Sequence, residues 1–163
     1  MDEPINYVDK INNYYQGLGY PAYDWTVNTE TPFTPLRKPL HECRVSMLTS
    51  GGISHHTRPP FNPLAKNDLR VDDVDFAATP SDFEVNDGYY DTRDAKKDLN
   101  VIFPIERLRE LADEGVIGSV APRLWSGFMG RIYKRGEVVE RVAPELVEEL
   151  KKDKVDLFVL VPA

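Results

Sequence analysis

Apolar positions change period along this chain, and the changes predict alternating helices and strands. Near the start, Ile5, Val8, Ile11 and Tyr15 recur at close to helical spacing. That predicts an amphipathic helix over Pro4–Gln16, ended by Gly17, Gly19 and Pro21. From Trp25 to Pro39, three prolines (Pro32, Pro35, Pro39) and several threonines impose an extended or turn-rich connector. Trp25 and Phe33 suggest that it lies against the domain surface or a partner. Arg44–Thr49 (RVSMLT) reads as the first buried strand and runs into Ser50-Gly51-Gly52-Ile53. Neighbouring glycines there permit close backbone approach or positive φ. A tight turn and an anion cradle are both open, although no lysine-bearing P-loop pattern follows.

Residues His55–Asp82 are irregular and rich in Pro, Asn and Asp, the composition of a long loop, which in a compact domain is commonly functional. Phe83–Val85 is a short strand candidate, followed by the acidic, tyrosine-bearing segment Asn86–Asp98. Pro104 fits the first turn of a helix whose inner face is Ile105, Leu108, Leu111 and Ala112. Its water-facing side is Glu106, Arg107, Arg109 and Glu110, and Gly115 stops it. Ile117–Ala121 is the next strand and Pro122–Gly130 a polar turn. Pro144 opens a helix to about Lys152 through Leu146 and Leu150. Val155–Val161, apolar apart from Asp156, is a last strand expected to be buried on both faces, as in a parallel sheet. The order predicts an α/β fold with a three-layer, mostly parallel, Rossmann-like central sheet. Residues 1–33 form an N-terminal helix and connector, and 34–163 the α/β domain.

Composition narrows the function classes. The 163 residues, 41% hydrophobic and 29% charged, suffice for one domain with a core. A net charge of −7 disfavours nucleic acid or anionic membrane as a partner. No apolar run approaches the roughly 20 residues of a membrane helix, and the acidic start MDEPINYVDK is no secretory signal. The expectation is a cytoplasmic protein. The lone Cys43 forms no internal disulfide. It is either an inert thiol at a strand edge or a reactive one activated by a nearby cation.

In a parallel sheet, ligands sit at the carboxyl ends of the strands. Three loops should meet there: Ser50–Asn62, Pro122–Gly130, and whatever follows Ala163. The candidate substrate contacts are Ser50, Gly51, His55, Asn62, Asp91, Asp94, Arg123 and Ser126. Ser126 could donate to a bound carboxylate and Arg123 supply charge to it. Alternatively, Phe128-Met129 is a hydrophobic plug packed under the sheet. His55 or His56 with Asp91 and Asp94 could hold a metal, but lacks tight ligand spacing. Asp98 and Asn100 are read as caps of the helix that follows. No Ser-His-Asp order, nucleophile elbow or dinucleotide fingerprint is present, and no cofactor is expected in this chain.

Several segments resemble one known family. They are TPLRKPL (Thr34–Leu40), RVSMLTSGGI (Arg44–Ile53), PPFN (Pro59–Asn62), YYDTRDAKKDLNVIFPIERLRELADEGVIGSVAP (Tyr89–Pro122) and FMG (Phe128–Gly130). In this order they are similar to the selenoprotein B family, which includes subunits of glycine, sarcosine, betaine and D-proline reductases. The most specific part is the Asp-Ala-x-x-Asp-x-Asn-x-x-Phe-Pro-x-x-Arg-Leu run starting at Asp94. Met1–Phe33 lie outside the resemblance. It implies reductive C–N cleavage of an amino-acid-type small molecule, with a selenol attacking on the α-carbon side and a dithiol restoring the enzyme. It also implies other reductase subunits as partners, among them a pyruvoyl-bearing one, and a thioredoxin-like donor. In relatives, a strand ending in Val-Pro or Thr-Pro plus a small residue is followed at once by selenocysteine. Val161-Pro162-Ala163 matches that strand end, so the selenol is expected immediately after Ala163 and the chain is expected to be cut at the selenocysteine codon. As given, it should be inactive in the chemical step.

Two departures bear on substrate geometry. Relatives carry histidines in the segment matching Asp87–Asp94, where this chain has Tyr89 and Thr92. They also read aromatic-Ser-Phe-Met-Gly where this chain inserts Gly127. The rival readings are a non-catalytic binding or scaffold module, and a metal-assisted or racemase-like enzyme using His55, His56 or Asp91.

Overall fold

The computed structural model describes residues 5–22, 29–30 and 34–163. Trp25, Pro32 and Phe33 of the expected connector lie outside them. The chain divides into two compact units, 1–35 and 36–163. In the first, α1 (Tyr7–Gly17) starts at Asn6, whose side chain accepts from the Asp9 amide. Gly19, at φ +85°, follows its end.

The second unit is mixed α/β. Its main sheet is built on β1 (Arg44–Thr49), which pairs in parallel with β5 (Ser119–Val120), β6 (Arg123–Met129) and β7 (Leu157–Val161). On one side β5 covers the start of β1 and β6 its end; β7 runs along the other side. The remaining member, β3 (Asp68–Asp75), lies antiparallel on β6. A minor second sheet pairs β2 (Ile53–His55) with β4 (Phe83–Val85).

The pleat sends alternate residues of β1 to opposite faces. Val45 and Met47 join Ile53, Phe83, Val85, Phe103, Ile105 and Leu108 in the larger apolar cluster. Leu48 packs instead with Trp125, Leu146 and Leu150. The first cluster brings in α3 (Ile105–Asp113) and the second α5 (Ala143–Lys152), both at the predicted helical spacings. Before α3 comes the short α2 (Arg93–Lys97). Before α5, the one-turn α4 (Arg135–Glu137) and a π-helical stretch, Val138–Val142, lead into it.

Four expectations are corrected. Asp68–Asp75, assigned to the long loop, is a strand; only Leu69, Val71 and Val74 are apolar there, and the pairing with β6 supplies the order that composition hid. Pro122–Gly130 is not a turn but the strand β6. Its Ser-Gly pair misleads because both residues are internal: Ser126 satisfies its hydroxyl by donating to the Ile53 carbonyl at 2.7 Å. A Cβ on Gly127 would lie 2.4 Å from the Arg70 carbonyl oxygen, so glycine lets β3 approach there. The last strand is not buried on both faces: Leu160 is 65% exposed, and β7 stands at the sheet edge, paired only with β1. Finally, Arg109 does not point freely into water: its guanidinium donates to the Phe76 and Ala78 carbonyls over the Phe76 ring.

Candidate functional site at the carboxyl edge of the sheet

Parallel pairing brings the ends of β1, β6 and β7 to one edge. The register of β1 with β7 runs from Val45–Leu157 to Thr49–Val161, so the residues after Thr49 and Val161 emerge side by side. The Ser50 amide donates to the Val161 carbonyl at 3.2 Å, and the Ala163 amide donates to Ser50 Oγ at 3.1 Å. The amino end of the pair is fixed by Asp156. Its carboxylate accepts from the Arg44 amide and from Lys38 Nζ, both at 2.7 Å, while its own amide donates to the Arg44 carbonyl. The Lys38 ammonium, and then the Arg44 amide, hold the Asp156 carboxyl below its ordinary range.

The turn after β1 is tightly fixed. The Gly51 amide donates to Thr49 Oγ1 at 3.0 Å, and its carbonyl accepts from Tyr90 OH at 2.9 Å. Burial pushes the Tyr90 phenol up to about 12. Gly52, at φ +68°, accepts from the Asn86 amide at 2.8 Å; a Cβ there would lie 2.4 Å from the Asn86 carbonyl oxygen. The turn therefore ties Asn86 and Tyr90 to the end of β1.

A cavity of about 270 Å³ opens beside Ser50 and Ala163, with Asp87, Tyr89, Phe128 and Arg131 among its other walls. Phe128 bends the end of β6 through a left-handed conformation, φ +60°. Tyr89 is central to the wall. Its amide donates to Asp87 Oδ1 at 2.6 Å, its hydroxyl donates to the Ala65 carbonyl at 3.0 Å, and the Arg131 guanidinium lies 5.2 Å from its ring centre. Burial raises the Asp87 carboxyl above its ordinary value, only partly offset by the Tyr89 and Gly88 amides.

Of the residues singled out from the sequence, Ser50 and Gly51 stand at this edge. Asn62 stands one step behind it: its side chain accepts from the Leu64 amide, closing the turn on which the Tyr89 hydroxyl rests. His55 lies at the end of β2 away from Gly52, with Nδ1 2.8 Å from Thr57 Oγ1 and its ring edge-on to Phe83. Asp91 forms a forked pair with Arg93, and Asp94 pairs with Lys97 at 3.0 Å, both exposed. The Arg93 guanidinium lowers the Asp91 carboxyl.

Two positions are corrected. Arg123 stands at the amino end of β6, the opposite edge of the sheet, gripped by Asp153 and Glu149 at 2.8–2.9 Å and stacked over Trp125. Those carboxylates raise its already high pKa further. Ser126 is buried inside the strand. Neither lines the cavity, because the loop that was to present them is β6 itself.

Asp87, Tyr89 and Arg131 line the cavity but were not among the expected substrate contacts. The signal for Arg131 was its place just past the end of β6, legible only once RLWSGFM is read as a strand. Cys43 is buried, its thiol turned to the Pro39 carbonyl at 3.3 Å. Among the described residues, no group of three or more His, Cys, Asp or Glu could hold a metal ion. No helix among them is long and apolar enough to cross a membrane.

The parallel strand ends of an α/β unit are the edge where ligands sit in folds of this class, and the charged cavity lies at that edge. The pattern of the glycine/sarcosine/betaine reductase selenoprotein B family matches residues 10–163, reaching further toward the amino terminus than Thr34. This chain belongs to that family. It is 35% identical over 128 residues to the D-proline reductase subunit gamma of Acetoanaerobium sticklandii, covering 78% of this chain and 52% of the relative. It is 30% identical over 118 residues to the sarcosine reductase complex component B subunit beta of Peptoclostridium acidaminophilum, covering 70% and 27%. With the glycine reductase complex component B subunit gamma of Symbiobacterium thermophilum it shares 29% over 144 residues, covering 86% and 32%. The chain thus spans about half or less of these relatives' lengths. No solved structure gives a significant match.

Proposed function

We propose that this chain forms part of a selenol- and thiol-dependent reductase subunit that cleaves a C–N bond of glycine, sarcosine, betaine or D-proline. It would act in a complex with other reductase subunits. One observation carries the reading: in a chain of this family, Ala163 is hydrogen-bonded to Ser50 at the parallel strand ends, beside a small cavity. The sequence resemblance puts the reactive selenium directly after a strand end like Val161-Pro162-Ala163. A selenol working at this edge in the whole protein is consistent with that position. The chemistry needs a selenolate and a thiol as the two-electron donor, and an external dithiol to return them to the reduced form. A thioredoxin-like donor, a pyruvoyl-bearing partner, a cytoplasmic setting and a three-layer, Rossmann-like whole domain belong to the same reading. Apolar packing against both faces of β1 supports the last.

The test mixes the tagged chain with purified components of glycine, sarcosine and D-proline reductases. Size-exclusion chromatography is followed by an assay of substrate-dependent dithiol oxidation. The expected result is co-elution with at least one component set, and turnover only when a selenol-bearing polypeptide is present. Association with none of them overturns the proposal.

A further inference from the structure

The cavity at Ser50 carries opposite charges on walls that do not neutralise each other. Among the described residues, neither Asp87 nor Arg131 takes part in an ion pair, although both line the same space of about 270 Å³. Tyr89 holds them in place: its backbone amide fixes Asp87 Oδ1 at 2.6 Å, and its ring sits beneath the Arg131 guanidinium. Tyr89 is itself held by the Leu64 and Ala65 carbonyls, which accept from its hydroxyl at 3.2 and 3.0 Å. The two charges are therefore attached to one rigid wall. A partly buried carboxylate without a cation partner is costly, and an incoming ammonium would relieve that cost. A guanidinium with free donors suits a carboxylate. The volume falls below the roughly 300–1,000 Å³ of sites for drug-sized ligands, so it fits a molecule of few heavy atoms.

We propose that Asp87 and Arg131 form a clamp for a small zwitterion, an amino acid or N-alkyl glycine, with its carboxylate on Arg131 and its nitrogen toward Asp87. The clamp rests on the reductase reading for its substrate class and adds the residues that select it. The third wall, Ser50 and Ala163, then faces the middle of the bound molecule. Neither charged residue was among the contacts expected from the sequence.

The test is binding to the full chain by isothermal titration and NMR line broadening. The probes are glycine, sarcosine and D-proline, with cyclopentanecarboxylate as D-proline without its nitrogen and pyrrolidine as D-proline without its carboxylate. At least one zwitterion should bind, and D-proline should exceed both of its fragments by about tenfold. Arg131→Met should weaken zwitterion binding by about tenfold or more, and Arg131→Lys should restore part of it. Asp87→Asn should abolish the preference of D-proline over cyclopentanecarboxylate while leaving the binding of the latter unchanged. Far-UV circular dichroism and melting temperature establish that the variants fold. Absence of zwitterion binding by the unmodified chain, or binding that survives both charge removals, overturns the clamp. This outcome is separable from the association experiment: subunit assembly without zwitterion binding sinks the clamp alone. Zwitterion binding without assembly sinks the reductase reading.

Discussion

Gly52→Ala is the sharpest probe of how the carboxyl edge is built, because Gly115→Ala provides its internal control. Both glycines have left-handed backbones, φ +68° and +71°. Around Gly115 nothing lies within 4 Å of the added Cβ; at Gly52 the Cβ would meet the Asn86 carbonyl oxygen at 2.4 Å, its carbon at 2.9 Å and Met129 Cε at 2.9 Å. Placing alanine in a left-handed conformation costs about 1–2 kcal/mol. The stiffer unfolded chain offsets about 0.4–1 kcal/mol of that. Gly115→Ala should therefore cost about 1 kcal/mol. At Gly52 the backbone must also move away from Asn86, which breaks the 2.8 Å bond from the Asn86 amide to the Gly52 carbonyl in a buried turn. Each of the two orphaned partners adds about 1–3 kcal/mol, so the total is about 3–7 kcal/mol. For a chain of this size each kcal/mol lowers the melting temperature by about 2–4 °C. Urea denaturation and thermal melting should thus put Gly52→Ala about 10 °C below the unmodified chain and Gly115→Ala only a few degrees below. If the two variants fall within about 1 kcal/mol of each other, the close approach of Gly52 to Asn86 is not a constraint on this fold.

Other residues make separable predictions. Asp156→Asn should destabilise the chain by about 1 kcal/mol at neutral pH. Because Lys38 and Arg44 hold the folded carboxyl below its ordinary 3.8, the contribution is present above that value and lost as pH falls through the lower folded value. The gap between variant and unmodified chain in urea midpoints should therefore close in acid; a gap independent of pH refutes the pairing. Tyr90→Phe should cost about 1 kcal/mol by leaving the Gly51 carbonyl unpaired. In the intact chain Tyr90 should ionise at about 12, with stability draining away between pH 10 and that value. Ultraviolet titration that shows the same late transition in Tyr90→Phe rules out the assignment. Arg123→Met should lower stability by about 1–2 kcal/mol through loss of its Asp153 and Glu149 contacts, while leaving zwitterion affinity unchanged. A drop in affinity without loss of stability would return Arg123 to the site.

What the sequence made legible follows from whether order is local. Arg44–Thr49 and Phe83–Val85 match their strands end to end, because apolar runs bounded by breakers need no distant information. Pro104, Gly115 and the Leu146–Leu150 spacing marked α3 and α5, because helices carry their own punctuation. Order imposed from across the sheet escaped. DLRVDDVD is a strand because β6 lies beside it, and RLWSGFM keeps Ser126 and Gly127 inside because Ile53 and Arg70 stand opposite them. That one misreading moved the site: with 122–130 taken as a turn, Arg123 and Ser126 stood at the carboxyl edge and Arg131 was out of view. Once β6 is a strand parallel to β1, direction alone sends Arg123 to one edge and Arg131 to the other. The same argument fixes Ala163. Asp156 anchors β7 to Arg44 at one end, and the five register pairs from Val45–Leu157 to Thr49–Val161 leave the next residues nowhere to emerge except beside Ser50. A one-residue slip of β7 would turn its side chains to the opposite faces and carry Ala163 away from the Ser50 hydroxyl. The ion pair at the amino end of the strand thus positions the strand end at the cavity, five residues away along the sheet.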